Sequence, residues 1–131
     1  MPETRAKRFT WQATSCSGSV VTDAGLQIWV NAEGSLPLAV VEPGVTVTPG
    51  VDVRGQGLWL AVTEESAGHW SVQLEAFALA LDDPDDAFGI PTPLGLDLEW
   101  EDDAASGDCL VTGEVLVADQ RLQISGRGTR A

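Results

Sequence analysis

Residues 57–101 read GLWLAVTEESAGHWSVQLEAFALALDDPDDAFGIPTPLGLDLEWE, and the alternation of side chains in this stretch decides the fold class. Near its end, Leu94, Leu96, Leu98 and Trp100 alternate with Gly95, Asp97, Glu99 and Glu101. That is the period of a strand with one buried face. The run from 69 to 81 keeps Trp70, Val72, Leu74, Ala76, Ala78 and Ala80 on one side. Its other side passes from His69, Ser71, Gln73 and Glu75 to Phe77, Leu79 and Leu81, as expected of a strand running from a rim into a barrel wall or between two layers. Leu74, Phe77, Ala78 and Leu81 also fit a helical spacing. The flanking runs are strands in the same register, so a strand is expected here too.

The same period extends outward. Residues 26–30 place Leu26, Ile28 and Val30 opposite Gln27 and Trp29. Residues 44–54, GVTVTPGVDVR, read as two short valine-rich strands about a Pro49-Gly50 turn, and Gly55 and Gly57 as a strand bulge. Residues 109–118 and 121–127 predict a hairpin about Asp119-Gln120. No repeat and no low-complexity linker interrupts the chain. The pattern predicts one all-β domain over residues 1–131, an antiparallel barrel or sandwich of about 8–10 strands. Residues 1–8 are expected to be a flexible basic N-terminus.

Charge is unevenly distributed. The 131 residues carry a net charge of −13, and Arg54 is the one basic residue between Phe9 and Gln120. Arg5, Lys7 and Arg8 lie at one end, and Arg121, Arg127 and Arg130 at the other. An acidic body repels phosphate backbones and anionic membrane surfaces, so neither nucleic acid nor a membrane is expected as a partner. The charge keeps the chain soluble; a sharper reading docks the basic termini on the acidic body, within one chain or between two. The start lacks an apolar signal segment and no apolar run is long enough to span a bilayer, which points to the cytoplasm. Cys16 and Cys109 are then expected as two reduced thiols.

Few residues have the types needed for a site. The loop Asp82-Asp83-Pro84-Asp85-Asp86 lacks the spacing of a calcium loop and reads as a solvated turn. One histidine and two separate cysteines exclude a multi-histidine or cysteine zinc site, so no metal and no cofactor are expected. His69 reads as a rim histidine, with Glu64 or Glu65 across the turn as its partner if it moves a proton. Glu75, flanked by apolar neighbours, is either a carboxylate facing a greasy ligand or a group that points to solvent or pairs with Arg54. There are five tryptophans and no tyrosine. In a barrel, Trp29, Trp59, Trp70, Phe77 and Trp100 are candidates to line an apolar cavity, against ordinary packing roles.

The phrases GLWLAVTEESAGHWSVQLEAFALALDDPDD, PLGLDLEWE and VTGEVLVADQRLQISGRGTR resemble one half of the lipocalin-like tandem β-proteins related to carotenoid 1,2-hydratases, the hydroxyneurosporene-synthase-like group. The resemblance covers about residues 40–130. It implies a lipocalin-like antiparallel half-barrel and an apolar ligand or polyene-type substrate. It also implies a second half, which a homodimer would rebuild. Members of that group carry a His- and Trp-containing motif beyond a segment like Gly126-Arg127-Gly128-Thr129-Arg130. The sequence here runs to Ala131, so no catalytic residue is carried over.

The first expectation is therefore binding of a small hydrophobic molecule in an apolar, Trp-lined cavity. The alternative is a cofactor-independent hydratase, isomerase or cyclase in which Glu75 and His69 move a proton and the cavity positions the substrate. A third reading is an acidic protein-interaction module.

Overall fold

The computed structural model describes residues 7–35, 37–55, 57–80 and 91–131. Ten strands follow one another: β1 (Arg8–Gln12), β2 (Cys16–Val21), β3 (Leu26–Ala32), β4 (Leu38–Glu42), β5 (Val53–Gly55), β6 (Leu58–Ser66), β7 (His69–Ala80), β8 (Pro91–Asp102), β9 (Cys109–Val117) and β10 (Gln120–Arg130). They form one antiparallel sheet in the order β4-β3-β2-β1-β10-β9-β8-β7-β6-β5. Residues 69–80 are strand and not helix, because both edges of this run find partners.

Those edges close the sheet into a ring. β8 pairs along one edge of β7, from His69 opposite Glu101 to Leu79 opposite Pro91. β6 takes most of the other edge, with Leu58 opposite Ala76 and Glu64 opposite Trp70. β4 takes the remainder, with Ala39 opposite Leu79 and Leu38 opposite Ala80. At the far side β1 and β10 pair, Phe9 opposite Arg130. Eight strands thus run in a circuit, and the β5–β6 hairpin continues from β7 past the seam. Residues 43–52 connect β4 to this hairpin, with Val45 and Val47 packed against the core and the Gly50 amide donating to Val62 O at 2.8 Å.

The alternation seen in the sequence sorts the side chains between the two faces of this ring. Leu26, Ile28, Val30, Leu60, Val62, Val72, Leu74, Leu96, Leu98, Val111 and Val115 are buried inside. One end of the interior is filled by rings. Phe9 packs edge-on to Trp100 at 5.0 Å and tilted to Trp70 at 6.1 Å, and Trp11 meets Trp100 edge-on at 6.3 Å. Offset and edge-on packing is the arrangement ring quadrupoles favour. Trp11 lies opposite Gly18, where a Cβ would come within 2.4 Å of its ring, so the glycine makes room for the indole. The Trp100 indole N–H donates to Thr10 O at 2.8 Å. The Trp70 indole N–H is buried without a hydrogen-bond partner, and that of Trp11 meets only the soft Cys16 sulfur, short of a regular hydrogen bond.

Arg8, Arg127 and Arg130 dock on acidic side chains of the same chain. Arg8 pairs with Asp23 at 3.2 Å, and Arg127 bridges Asp103, at 2.9 Å, and Asp108. Arg130 reaches Asp102 at 2.6 Å and lies over the Trp70 ring, 5.8 Å from its centre. Its guanidinium closes the ring-filled end of the barrel while staying charge-paired.

Several local expectations change. No strand forms over 44–48; the missing wall is β4, where Leu38, Ala39 and Val40 are all buried and hide the period of two. β1 and β2 complete the circuit. The last hairpin turns at Ala118-Asp119, since Val117 pairs with Gln120. Gly55 ends β5 and Gly57 belongs to the turn into β6, whereas the register irregularity lies between Glu64 and Ser66. The expected flexible start, residues 1–8, is cut back: Arg8 opens β1 and the Lys7 amide donates to Ala131 O. Residues 1–6 and the acidic loop Asp82–Asp86 lie outside the described residues. Among the described residues, no helix is long and apolar enough to cross a membrane.

Candidate functional site

The five aromatic candidates do not line one internal cavity. Trp70 and Trp100 face inward and are consumed by the ring cluster with Phe9 and Trp11. Trp29 is 42% exposed on the outer face of β3. Trp59 and Phe77 also face outward, and they come together with Glu75. The physical reason is parity: Trp59 neighbours the buried Leu60, and Phe77 neighbours the buried Ala76 and Ala78, so both point away from the core.

Outside, they form a groove of about 490 Å³ across β6, β7, β8 and the end of β9. The register builds it row by row. Trp59 lies opposite Glu75, Glu75 opposite Gly95, and Gly95 opposite Leu116. In the next row Phe77 lies opposite Pro93. Gly95 leaves a gap between the Glu75 and Leu116 side chains; a Cβ there would press on Leu116 at 3.2 Å. The floor is strand backbone, and the walls are Trp59 and Phe77 on one side and Leu116 and Ala118 on the other. Phe77 is 61% exposed, an unusual state for a phenylalanine flanked by apolar neighbours.

Asp52 orients the Trp59 ring. Its Oδ2 accepts the indole N–H at 3.2 Å and also the Arg54 guanidinium at 3.3 Å. Arg54 is therefore engaged by Asp52, and the expected Glu75–Arg54 pair does not form. Glu75 is exposed at the groove wall, and no described residue pairs with its carboxylate.

His69 is not part of this groove. It begins β7, and Glu75 lies six residues further on, roughly 20 Å away along an extended strand. Its partner is Glu99 on β8, at 2.8 Å from Nε2, and not Glu64 or Glu65. Glu65 instead accepts from the buried Ser71 hydroxyl at 2.8 Å. A diagonal cross-strand pair of this kind is invisible until the β7–β8 register is known.

A second group of carboxylates is already ion-paired. Asp102, Asp103 and Asp108 face Arg127 and Arg130, which hold all three carboxyls below the ordinary range, Asp108 at about 2 through its Arg127 hydrogen bonds. Among the described residues, no group of three or more His, Cys, Asp or Glu is arranged to hold a metal ion. Burial pushes both thiols up, and for Cys109 the neighbouring Asp102, to which it donates at 3.4 Å, adds to that. Neither is activated as a nucleophile.

Sequence reasoning named Trp59, Phe77 and Glu75 but not Gly95, Leu116, Pro93 or Asp52. The glycine carried a usable signal, since it interrupts an otherwise regular row of side chains on the outer face of β8. The chain matches no family model, no curated protein and no solved structure.

Proposed function

We propose that the protein binds a small, largely apolar molecule in the outer groove between Trp59, Phe77 and Leu116. The supporting observation is the convergence of two outward aromatic rings and a leucine around the bare backbone at Gly95. The volume of about 490 Å³ suits a small organic ligand. Solvent-facing phenylalanine is costly to leave uncovered, and a ligand lying in the groove would remove that surface from water. The Asp52 hydrogen bond holds the Trp59 ring in place beforehand, which lowers the entropy lost on binding. An apolar ligand is also what the resemblance to the carotenoid-hydratase-related proteins implies.

A proton-transfer enzyme built on Glu75 and His69 is less well supported, because the two side chains occupy different parts of β7 and His69 pairs with Glu99. The unpaired, buried Cys16 and Cys109 suit a reducing compartment and support a cytoplasmic setting.

The test uses the neutral fluorophore N-phenyl-1-naphthylamine. It should bind saturably, and Trp59→Ala should weaken it by about 1–3 kcal/mol while the melting temperature shows the variant folded. Trp29→Ala, an equally outward tryptophan on β3, should leave affinity unchanged. Saturable binding indifferent to Trp59 removes the ring from the site, and no saturable binding removes the site.

A further inference from the structure

We infer that the ligand of this groove is an organic cation, an amine or quaternary ammonium carried on an apolar body; this rests on the groove being the binding site. Among the described residues, Glu75 is the one charged side chain lining it, and every other lining residue is apolar or glycine. No described residue pairs with its carboxylate. The basic side chains placed to do so are taken: Arg54 by Asp52 at 3.3 Å, and Arg121, which lies opposite Leu116, by Glu114 at 3.8 Å.

A neutral apolar ligand lying against Glu75 would strip water from a carboxylate and return nothing. An anionic ligand would add repulsion from Glu75 and from a body of net charge −13. An ammonium centre instead finds the carboxylate on one side and two rings close by. Trp59 lies directly opposite Glu75, and Phe77 is the next outward residue along β7. A cation is attracted to the electron-rich faces of such rings, most strongly when water is excluded. Asp52, by accepting the Trp59 N–H, further enriches the indole with electron density and adds negative charge behind it. Carboxylate and paired aromatics form a site for a greasy cation, and the long-range field delivers the same class of molecule to it.

The experiment compares benzyltrimethylammonium with its neutral isostere neopentylbenzene, which has the same shape without the charge. Both are titrated as competitors of N-phenyl-1-naphthylamine on the full chain. The cation should bind about tenfold more tightly than the isostere or better, a ratio that carboxylate and cation–π attraction together supply. Glu75→Gln should cut that preference to the smaller part that the rings supply. Glu42→Gln, an exposed carboxylate at the end of β4, should preserve the preference. A preference undiminished by Glu75→Gln, or reduced equally in Glu42→Gln, would place it in the diffuse field of the whole protein and overturn the inference. Equal affinities in the unaltered protein, both lost in Trp59→Ala, would overturn the inference and leave the groove standing. If neither ligand displaces a fluorophore whose binding depends on Trp59, the inference falls and the groove stands; if the fluorophore itself does not bind saturably, groove and inference fall together. Glu75 is exposed, so its amide variant is expected to melt like the parent, and a melt of each variant checks this.

Discussion

Replacing Trp100 with phenylalanine separates a packed interior from a ligand-lined one. Trp100 is fully buried, donates to Thr10 O at 2.8 Å, and packs edge-on with Phe9 and Trp11. Phenylalanine keeps the apolar bulk near Phe9 but loses the hydrogen bond, worth about 1 kcal/mol. It also loses part of the edge contact with Trp11, about 0.5–1 kcal/mol, and leaves a void costing about 1–2 kcal/mol. The expected destabilisation is about 2–4 kcal/mol. With an unfolding entropy of roughly 2.1 cal/mol/K per residue, that lowers the melting temperature by about 10 °C. Trp70→Phe provides the contrast, because the Trp70 indole N–H has no partner to lose and Arg130 can stay over the smaller ring. Its cost should be lower by about 1 kcal/mol. Thermal melts followed by far-ultraviolet circular dichroism read both. A shift of less than about 3 °C for Trp100→Phe would refute the reasoning, since only a ring lining open space is removed so cheaply.

Other outcomes follow from the same geometry. Asp108 titrates at about 2 in the folded state against an ordinary 3.8, so its Arg127 contact stabilises the fold above about pH 4 and is lost as the pH falls toward 2. Arg127→Ala should therefore flatten the dependence of the urea midpoint on pH across that interval. An unchanged slope would mean that the pair contributes nothing in solution. Cys16 and Cys109, both buried with raised pKa values, should react with a disulfide reagent at neutral pH only after denaturant is added. Fast native labelling would contradict their burial. Ala118 turns the last hairpin with φ 56°, a left-handed conformation disfavoured for alanine. Ala118→Gly should stabilise by about 1 kcal/mol in chemical denaturation, and destabilisation would show that the turn is not strained.

How legible the fold was in the sequence depended on how each strand is buried. β3, β7 and β8 have one wet and one dry face, so their alternation names both the strand and its inner side. β4 is dry on both faces over Leu38–Val40, and a continuous apolar run carries no period. β1 and β2 are short, and β2 holds Gly18 where the pattern needs a core residue, because Trp11 from the neighbouring strand fills that space. Trp59, Glu75 and Phe77 were legible as residues out of keeping with their surroundings. Their common location was not, since one sequence permits either face to point inward until the ring closes. The His69–Glu99 pair and the Asp52 support of Trp59 depend on cross-strand register and a folded turn, neither of which is written in local periodicity.

The pairing of β1 with β10 has a kinetic consequence. Phe9 and Arg130 are neighbours in the ring but are separated by nearly the whole chain. Bringing ends on the order of 120 residues apart together costs about 4 kcal/mol of loop-closure entropy before that pairing returns anything. The hairpins β6–β7, β8–β9 and β9–β10 close over a few residues and have no such barrier. The ring should accordingly zip from its consecutive hairpins and seal last between its termini. Joining Ala131 to Lys7, whose amide already bonds to the Ala131 carbonyl, and reopening the chain in the 104–107 turn would make the β1–β10 pairing local and move the long-range seal to β8–β9. Such a permutant should fold no faster than the parent and should seal last at β8–β9, the longer ladder now formed between its ends.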